Sequence, residues 1–201
     1  MNEKESSPFA DKPSRKPAFD FRNLPPSGSL TYELLSWDNY MQFHLLFKDD
    51  TNEFVDRRFK NIGDVRQYTE YQMEYAWYSP KRGGCDWFFL KDNQYAGVIH
   101  LYNLSRDKDS AHQCTIGFAT AARFRRQGLT REAVHHLLNR VFYHFDKQEV
   151  LSYTRLGNLA SMGLLKSLGF ENCDEEYQVD EESRQYHFFR MSRETFGRMS
   201  F

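Results

Sequence analysis

Cysteine is scarce in this chain of 201 residues: Cys85, Cys114 and Cys173 are too widely spaced for a CxxC redox pair or a zinc knuckle. Three isolated thiols exclude a disulfide scaffold and read as reduced cysteine in a reducing compartment. Long apolar runs are absent, and nothing approaches the roughly 18 residues that cross a bilayer. The start, Met1 to Pro8, is polar and has no apolar core of a signal peptide, so the expectation is a cytoplasmic protein without membrane contact. An excess of either charge is missing as well. With 27 Lys and Arg against 28 Asp and Glu there is no overall field to hold a polyanion, which argues against nucleic acid as a partner while allowing a local anion site. The histidines lack the carboxylate spacing of a zinc site, so no metal is expected. Neither the Walker A pattern nor the glycine triplet of a dinucleotide fold occurs.

Proline is sparse and uneven. Pro8, Pro13, Pro17, Pro25 and Pro26 crowd the first part of the chain, where no helical or strand period is present. Residues 1–28 therefore read as a flexible arm and residues 29–201 as one domain. Aromatic residues, by contrast, make up 16% of the chain and apolar residues 40%, enough for a substantial core.

The pattern predicts a strand over 30–36, a helix after Asp38 as its cap, and a second helix over 62–78. A hairpin follows, 86–90 and 96–104, joined at Lys91, Asp92 and Asn93. Another strand is expected over 112–120. Leu129, Ala133, Leu137, Val141 and Phe145 then recur every four residues beside Val134, Leu138 and Phe142, an amphipathic helix. Residues 149–154 form a strand, Asn158 caps a short helix, Gly169 ends it, and strands over 170–179 and 186–191 complete the chain. The order implies an α/β (α+β) domain: one mixed, mostly antiparallel sheet with at least one parallel crossover and flanking helices.

The segment between the strand at 112–120 and the long helix is the most informative. Arg125, Arg126, Gln127, Gly128, Leu129 and Thr130 sit where a strand hands over to a helix, whose first amides lack intrahelical acceptors and lie at the positive end of its dipole. Such a start binds phosphate. The bland alternative is solvated arginines around a turn glycine.

Arg125-x-x-Gly128-x-Thr130 resembles the Q/R-x-x-G-x-G/A signature of the GCN5-related N-acetyltransferases (GNAT). The series Gly97-Val98-Ile99, Ile116-Gly117-Phe118, Arg125 to Ala133, Asn158-Leu159-Ala160-Ser161 and Lys166-Ser167-Leu168-Gly169-Phe170 is similar to the branch of ribosomal-protein N-acetyltransferases (RimJ/RimL-like). The resemblance covers about residues 30–191. Thr130 departs from it, standing where the family prefers Gly or Ala.

The resemblance implies a single domain with a splayed parallel strand pair. It implies acetyl-CoA as cosubstrate, the diphosphate on the amides of about Arg126, Gln127, Gly128, Leu129 and Thr130 with the side chain of Arg125 among the charged donors beside them, and the pantetheine along Phe118, Ala119 and Thr120. A primary amine, on a protein N-terminus or a small molecule, would attack directly. An amide near Phe118 or Ala119 would hold the oxyanion, and Asn158 and Ser161 would lie near the sulfur, with Ser161 as acid. An α-amine, with a pKa near 8, needs less help from a base than a lysine near 10.4. His100 is the candidate base, with Glu176 or Tyr177 as alternatives. Glu132 needs no role beyond complementing the helix dipole, and the aromatic run Tyr68, Tyr71, Met73, Tyr75, Trp77 and Tyr78 is either core or acceptor pocket. A homodimer through an edge or hairpin is compatible with such a sheet. A non-catalytic acyl-CoA-binding or protein-interaction module of the same fold stands as the second reading.

Overall fold

The computed structural model describes residues 23–76, 83–104 and 112–199. Seven strands form one sheet in the order β1-β2-β3-β4-β5-β7-β6: β1 (Leu30–Leu34), β2 (Cys85–Lys91), β3 (Gln94–Tyr102), β4 (Gln113–Thr120), β5 (Glu149–Arg155), β6 (Glu171–Asn172) and β7 (Tyr186–Ser192). Among the described residues only β4 and β5 run parallel, joined by the crossover helix α3 (Leu129–His144). The other helices are α1 (Met41–Phe47), α2 (Ile62–Tyr71), α4 (Leu159–Ser167), α5 (Asp174–Tyr177) and α6 (Arg193–Arg198).

Both faces of the sheet are covered, which is why β2 is a continuous apolar run rather than an alternating one. On one face Trp87, Phe89, Ile99, Leu101 and Ile116 pack with Leu137, Val141 and Phe142 of α3, Leu165 of α4 and Phe196 of α6. On the other, Phe88 and Val98 pack with Phe43 and Phe47 of α1, Phe59, and Val65 and Tyr68 of α2.

The β2–β3 hairpin is irregular. Asp92 and Asn93 turn with positive φ (49° and 60°), so Lys91 faces Gln94 and Leu90 faces Tyr95. Phe89 then faces Gly97 rather than Ala96, a one-residue bulge that shifts the register of everything beyond it. Gly97 is demanded by close approach: a Cβ there would lie 2.3 Å from Phe89 Cζ and 2.4 Å from the Ala119 carbonyl oxygen. Gly97→Ala is expected to cost about 2–3 kcal/mol by overpacking, read as a lower midpoint in urea unfolding with an unchanged m-value.

Four expectations are corrected. Asp38 does not cap α1: the helix begins after Tyr40, and Asn39 orders the preceding turn by accepting from the Ser36 amide at 2.8 Å. The helix expected over 62–78 is capped by Asn61 and changes at Gln72 into a π-helical turn, Gln72–Ala76; Trp77 and Tyr78 lie outside the described residues, as does the turn expected over 105–110. The strand expected over 170–179 stops at Asn172, because the Asp174 carboxylate takes the Phe188 amide at 2.6 Å and His187 Nδ1 at 2.7 Å in place of a ladder bond. Burial opposes ionisation of Asp174, but hydrogen bonds from Asn172, the Phe188 amide and His187 outweigh it and lower the pKa. Finally α6 was not expected, although Ser192 caps it by accepting from the Thr195 amide at 3.0 Å.

Candidate active site

Three residue pairs alone join β4 to β5: Gln113 with Glu149, Cys114 with Val150 and Thr115 with Leu151. Beyond them each strand stays with its other neighbour, β4 with β3 as far as Thr120 and β5 with β7 as far as Arg155. The two strands therefore part in the middle of the sheet. At the apex the Ser152 hydroxyl donates to the Ile116 carbonyl at 3.1 Å. Because that carbonyl faces β5, alternation along the strand turns the N–H and C=O of Phe118 to the same opening. Ala119 is different: its carbonyl lies against Gly97 of β3. The Thr120 carbonyl accepts from Arg125 Nε at 3.1 Å. Of the three expected strand positions, Phe118 is the one that offers both polar groups to the gap.

At the end of β4 the chain turns into α3 through Arg126 at φ +61° and Gly128 at φ +79°. The first intrahelical bond runs from the Glu132 amide to the Gly128 carbonyl (3.1 Å), so the geometry of the helix start leaves the amides of Gly128, Leu129 and Thr130 without intrahelical acceptors. A Cβ on Gly128 would meet nothing within 4 Å, so the space beside this residue is open. Open space, successive amides and the positive end of a helix dipole fit a diphosphate. The side chains have other tasks. Arg125 pairs with the buried carboxylate of Asp50, bracing the loop after α1, rather than standing as a loose phosphate donor. Gln127 donates to the Arg123 carbonyl at 3.0 Å. Leu129 is buried. The Thr130 hydroxyl is hydrogen-bonded to that of Thr120, which secures the helix start to the strand end and leaves its amide as the group presented to an anion.

Beneath the gap, on the face covered by α1 and α2, lies a cavity of about 450 Å³. His100, Gly117, Phe118, Tyr102, Tyr68, Gln72, Phe59 and Tyr153 contribute to its wall. His100 is buried, and its Nδ1 lies 2.6 Å from Asp86 Oδ1. A carboxylate can only accept, so Nδ1 carries the hydrogen and Nε2 is the nitrogen available for chemistry. The other Asp86 oxygen accepts from the Tyr68 hydroxyl at 2.7 Å. Burial, reinforced by the Asp86 charge, pushes the Tyr68 and Tyr102 phenols well above their usual range, which keeps them protonated. The imidazole ring is clamped between Phe59, at 5.9 Å, and Tyr102, at 5.5 Å. A second hollow of about 540 Å³, lined by Gln42, Asp49, Asp50, Tyr95 and Arg123 among others, has no histidine among its described lining residues.

A family model described as an acetyltransferase (GNAT) domain matches residues 29–171. The chain belongs to the GNAT family. Its fold is shared with solved acetyltransferase structures. A chimera of the spermidine N-acetyltransferase SpeG from Vibrio cholerae and hSSAT superposes with a TM-score of 0.65 at 12% identity, over 86% of this chain and 100% of that one. A GNAT-family acetyltransferase from Bacillus anthracis gives 0.65 at 13% identity, over 84% and 98%. The N-acetyltransferase PseH from Campylobacter jejuni gives 0.55 at 14% identity, over 82% and 99%. At these identities the likeness is one of architecture. A search of curated proteins found no match.

In this GNAT domain Asn158 and Ser161 lie at the start of α4, which follows β5. Asn158 caps the helix by accepting from the Ser161 amide at 3.3 Å. Neither is part of the cavity wall that holds His100. Around the β5–α4 junction Tyr153, Leu156 and Leu159 are exposed, retaining 52%, 45% and 76% of their surface. The alternative bases are placed elsewhere, Glu176 in an ion pair with Arg190 at 2.8 Å and Tyr177 accepting from Gln113 at 3.2 Å. Tyr68 and Tyr71 line the cavity, whereas Met73 does not; the side chains of Tyr75, Trp77 and Tyr78 lie outside the described residues. Glu132 does more than complement a dipole, since it accepts from the Ser29 amide at 2.8 Å and the Ser29 hydroxyl at 3.0 Å.

Asp86 is the functional candidate that sequence reasoning missed. A two-residue turn at Asp92 and Asn93 with regular pairing would set Asp86 opposite Ile99, with His100 on the other face. The bulge sets it opposite His100. The available signal was a lone acid inside the otherwise apolar run of β2.

Proposed function

We propose that this chain is an acetyl-CoA-dependent N-acetyltransferase, of the ribosomal-protein N-acetyltransferase (RimJ/RimL-like) branch, that moves an acetyl group directly to a primary amine. One arrangement supports this reading: β4 and β5 part beyond Thr115, the start of α3 follows the free end of β4, and His100, oriented by Asp86, lines the cavity beside that stretch of β4. The amides of Gly128, Leu129 and Thr130 would hold the diphosphate, and the exposed groups of Phe118 the pantetheine. When bound, acetyl-CoA supplies the thioester: a C–N bond forms as the C–S bond breaks, and one proton passes overall from the amine to the sulfur.

The chain's own contribution is to position charge and protons. Phe118 N–H, fixed in a strand, donates to negative charge developing on an oxygen in the gap. Nε2 of His100 takes the proton of the amine, and Asp86 stabilises the imidazolium so formed. Ser161, at the start of α4, is the candidate proton donor. Ser161→Ala is expected to lower turnover about tenfold or more with unchanged acetyl-CoA affinity, and an unchanged rate removes this residue from the mechanism. The reading extends to residues 1–28 as an arm on a domain over 29–201, to a cytoplasmic setting and to a homodimer. Among the described residues no helix is long and apolar enough to cross a membrane.

Isothermal titration with acetyl-CoA, followed by detection of CoA thiol with an amine panel, tests the reading. Binding with turnover is the expected result. Binding without turnover would favour a non-catalytic module, and no heat at millimolar cosubstrate would remove both.

A further inference from the structure

Gly117 is a glycine that the fold does not require. It lies inside β4 with ordinary strand backbone, apart from the positive-φ glycines Gly28, Gly128, Gly157 and Gly169. No neighbour forbids a side chain either. A Cβ there would sit 3.4 Å from His100 Cδ2 and 3.5 Å from Tyr102 Cε2, ordinary contacts, whereas the same atom on Gly97 would lie 2.4 Å from a carbonyl oxygen. A glycine inside a strand weakens it and marks a place where another group comes close. Gly117 lines the cavity, so the room it leaves belongs to the cavity.

That room lies against the reactive edge of the imidazole. Asp86, His100 and Gly117 stand in register as one row across β2, β3 and β4. Asp86 engages Nδ1 from the β2 side. The other edge of the ring turns to β4, where Cδ2 is the atom nearest the missing Cβ. Nε2 is the next ring atom outward from the sheet, so a side chain longer than a methyl group at position 117 would run alongside it. His100 is only 5% exposed, and among the described residues no hydrogen bond reaches Nε2; yet this atom is not sealed from solvent as Gln72 Oε1 and His136 Nε2 are. A buried nitrogen that is unpartnered and still reachable calls for a hydrogen-bond donor from outside. The gap lies on the far side of β4, because β5 has parted from it beyond Thr115. Gly117 therefore stands between the gap and Nε2.

We propose that Gly117 is a specificity-determining residue: the side chain it lacks is the aperture through which the nitrogen of the amine reaches His100 Nε2 from the gap, and its width limits substitution on the carbon next to that nitrogen. This inference rests on the N-acetyltransferase reading, and two readouts keep the two apart. Carbethoxylation by diethyl pyrocarbonate, followed at the His100 peptide by mass spectrometry, reports access to Nε2 without turnover. The native chain should be labelled at His100, and Gly117→Val should lose most of that label with acetyl-CoA affinity unchanged. Thiol release is then measured with pairs of amines that differ by one methyl group on the nitrogen-bearing carbon. Gly117→Ala should lower kcat/KM for the substituted member about tenfold relative to its partner, while the urea midpoint stays at or above the native value because a strand glycine has been replaced. An unlabelled native His100, a label that survives in Gly117→Val, an unchanged ratio in Gly117→Ala or a lower midpoint for that variant overturns the inference and leaves the acetyltransferase reading standing. Acetyl-CoA binding with no thiol release from any amine overturns the enzymatic reading, and this inference with it.

Discussion

Gly128→Val should weaken acetyl-CoA binding about 100-fold or more while the protein still folds. Two effects act together. At φ +79° a β-branched residue is strained by about 1–2 kcal/mol. Nothing in the protein lies within 4 Å of the added Cβ, so the core registers no clash. The new side chain instead fills the space beside residue 128, where the diphosphate must approach the amides of Leu129 and Thr130. Titration calorimetry should show the loss of affinity, and urea unfolding a loss of stability no larger than the strain. An affinity within about threefold of native would mean that the anion is held elsewhere; a fall in affinity matched by collapse of the fold would make Gly128 a structural residue only.

Asp86→Asn should lower turnover about 100-fold at unchanged acetyl-CoA affinity. The carboxamide keeps the shape of the side chain but not its charge, and it has one acceptor oxygen where His100 and Tyr68 now use two. The imidazole is then no longer held with Nδ1 protonated and Nε2 open to the gap, and the imidazolium loses its counter-charge. Because Asp86 acts through His100, the pH–rate profile separates this role from packing: the limb reporting the base should move or vanish in Asp86→Asn, while acetyl-CoA titrates as in the native chain. A native rate and profile would return the pair to the core as a satisfied polar contact.

The frame of the molecule was legible because its signals are local. The four-residue recurrence from Leu129 onward is α3, Asn158 and Gly169 bound α4 as their chemistry requires, and the strand, long helix, strand order dictates the parallel pair at the centre of the sheet. The Arg125-x-x-Gly128-x-Thr130 pattern at the turn into α3 likewise lies within a few consecutive residues. What was not legible depends on distant partners. The ion pair of Arg125 with Asp50 joins residues 75 apart, and the hold of Glu132 on Ser29 spans 103. The strand after Phe170 ends because Asp174 reaches the Phe188 amide, a competition that β-propensity does not register. Asp86 and His100 are the sharpest case, since an alternation argument puts them on opposite faces and one extra residue in the hairpin brings them together.

The account depends on one physical statement, that the amides at the start of α3 and the parted edge of β4 hold a single ligand. Amide chemical shifts recorded while acetyl-CoA is titrated into the ¹⁵N-labelled full chain test it most directly. The account predicts that the largest shifts fall on Gln127, Gly128, Leu129, Thr130 and Phe118, saturating together with one dissociation constant. Shifts confined to the hollow around Gln42, Tyr95 and Arg123, or none at the start of α3, would contradict it.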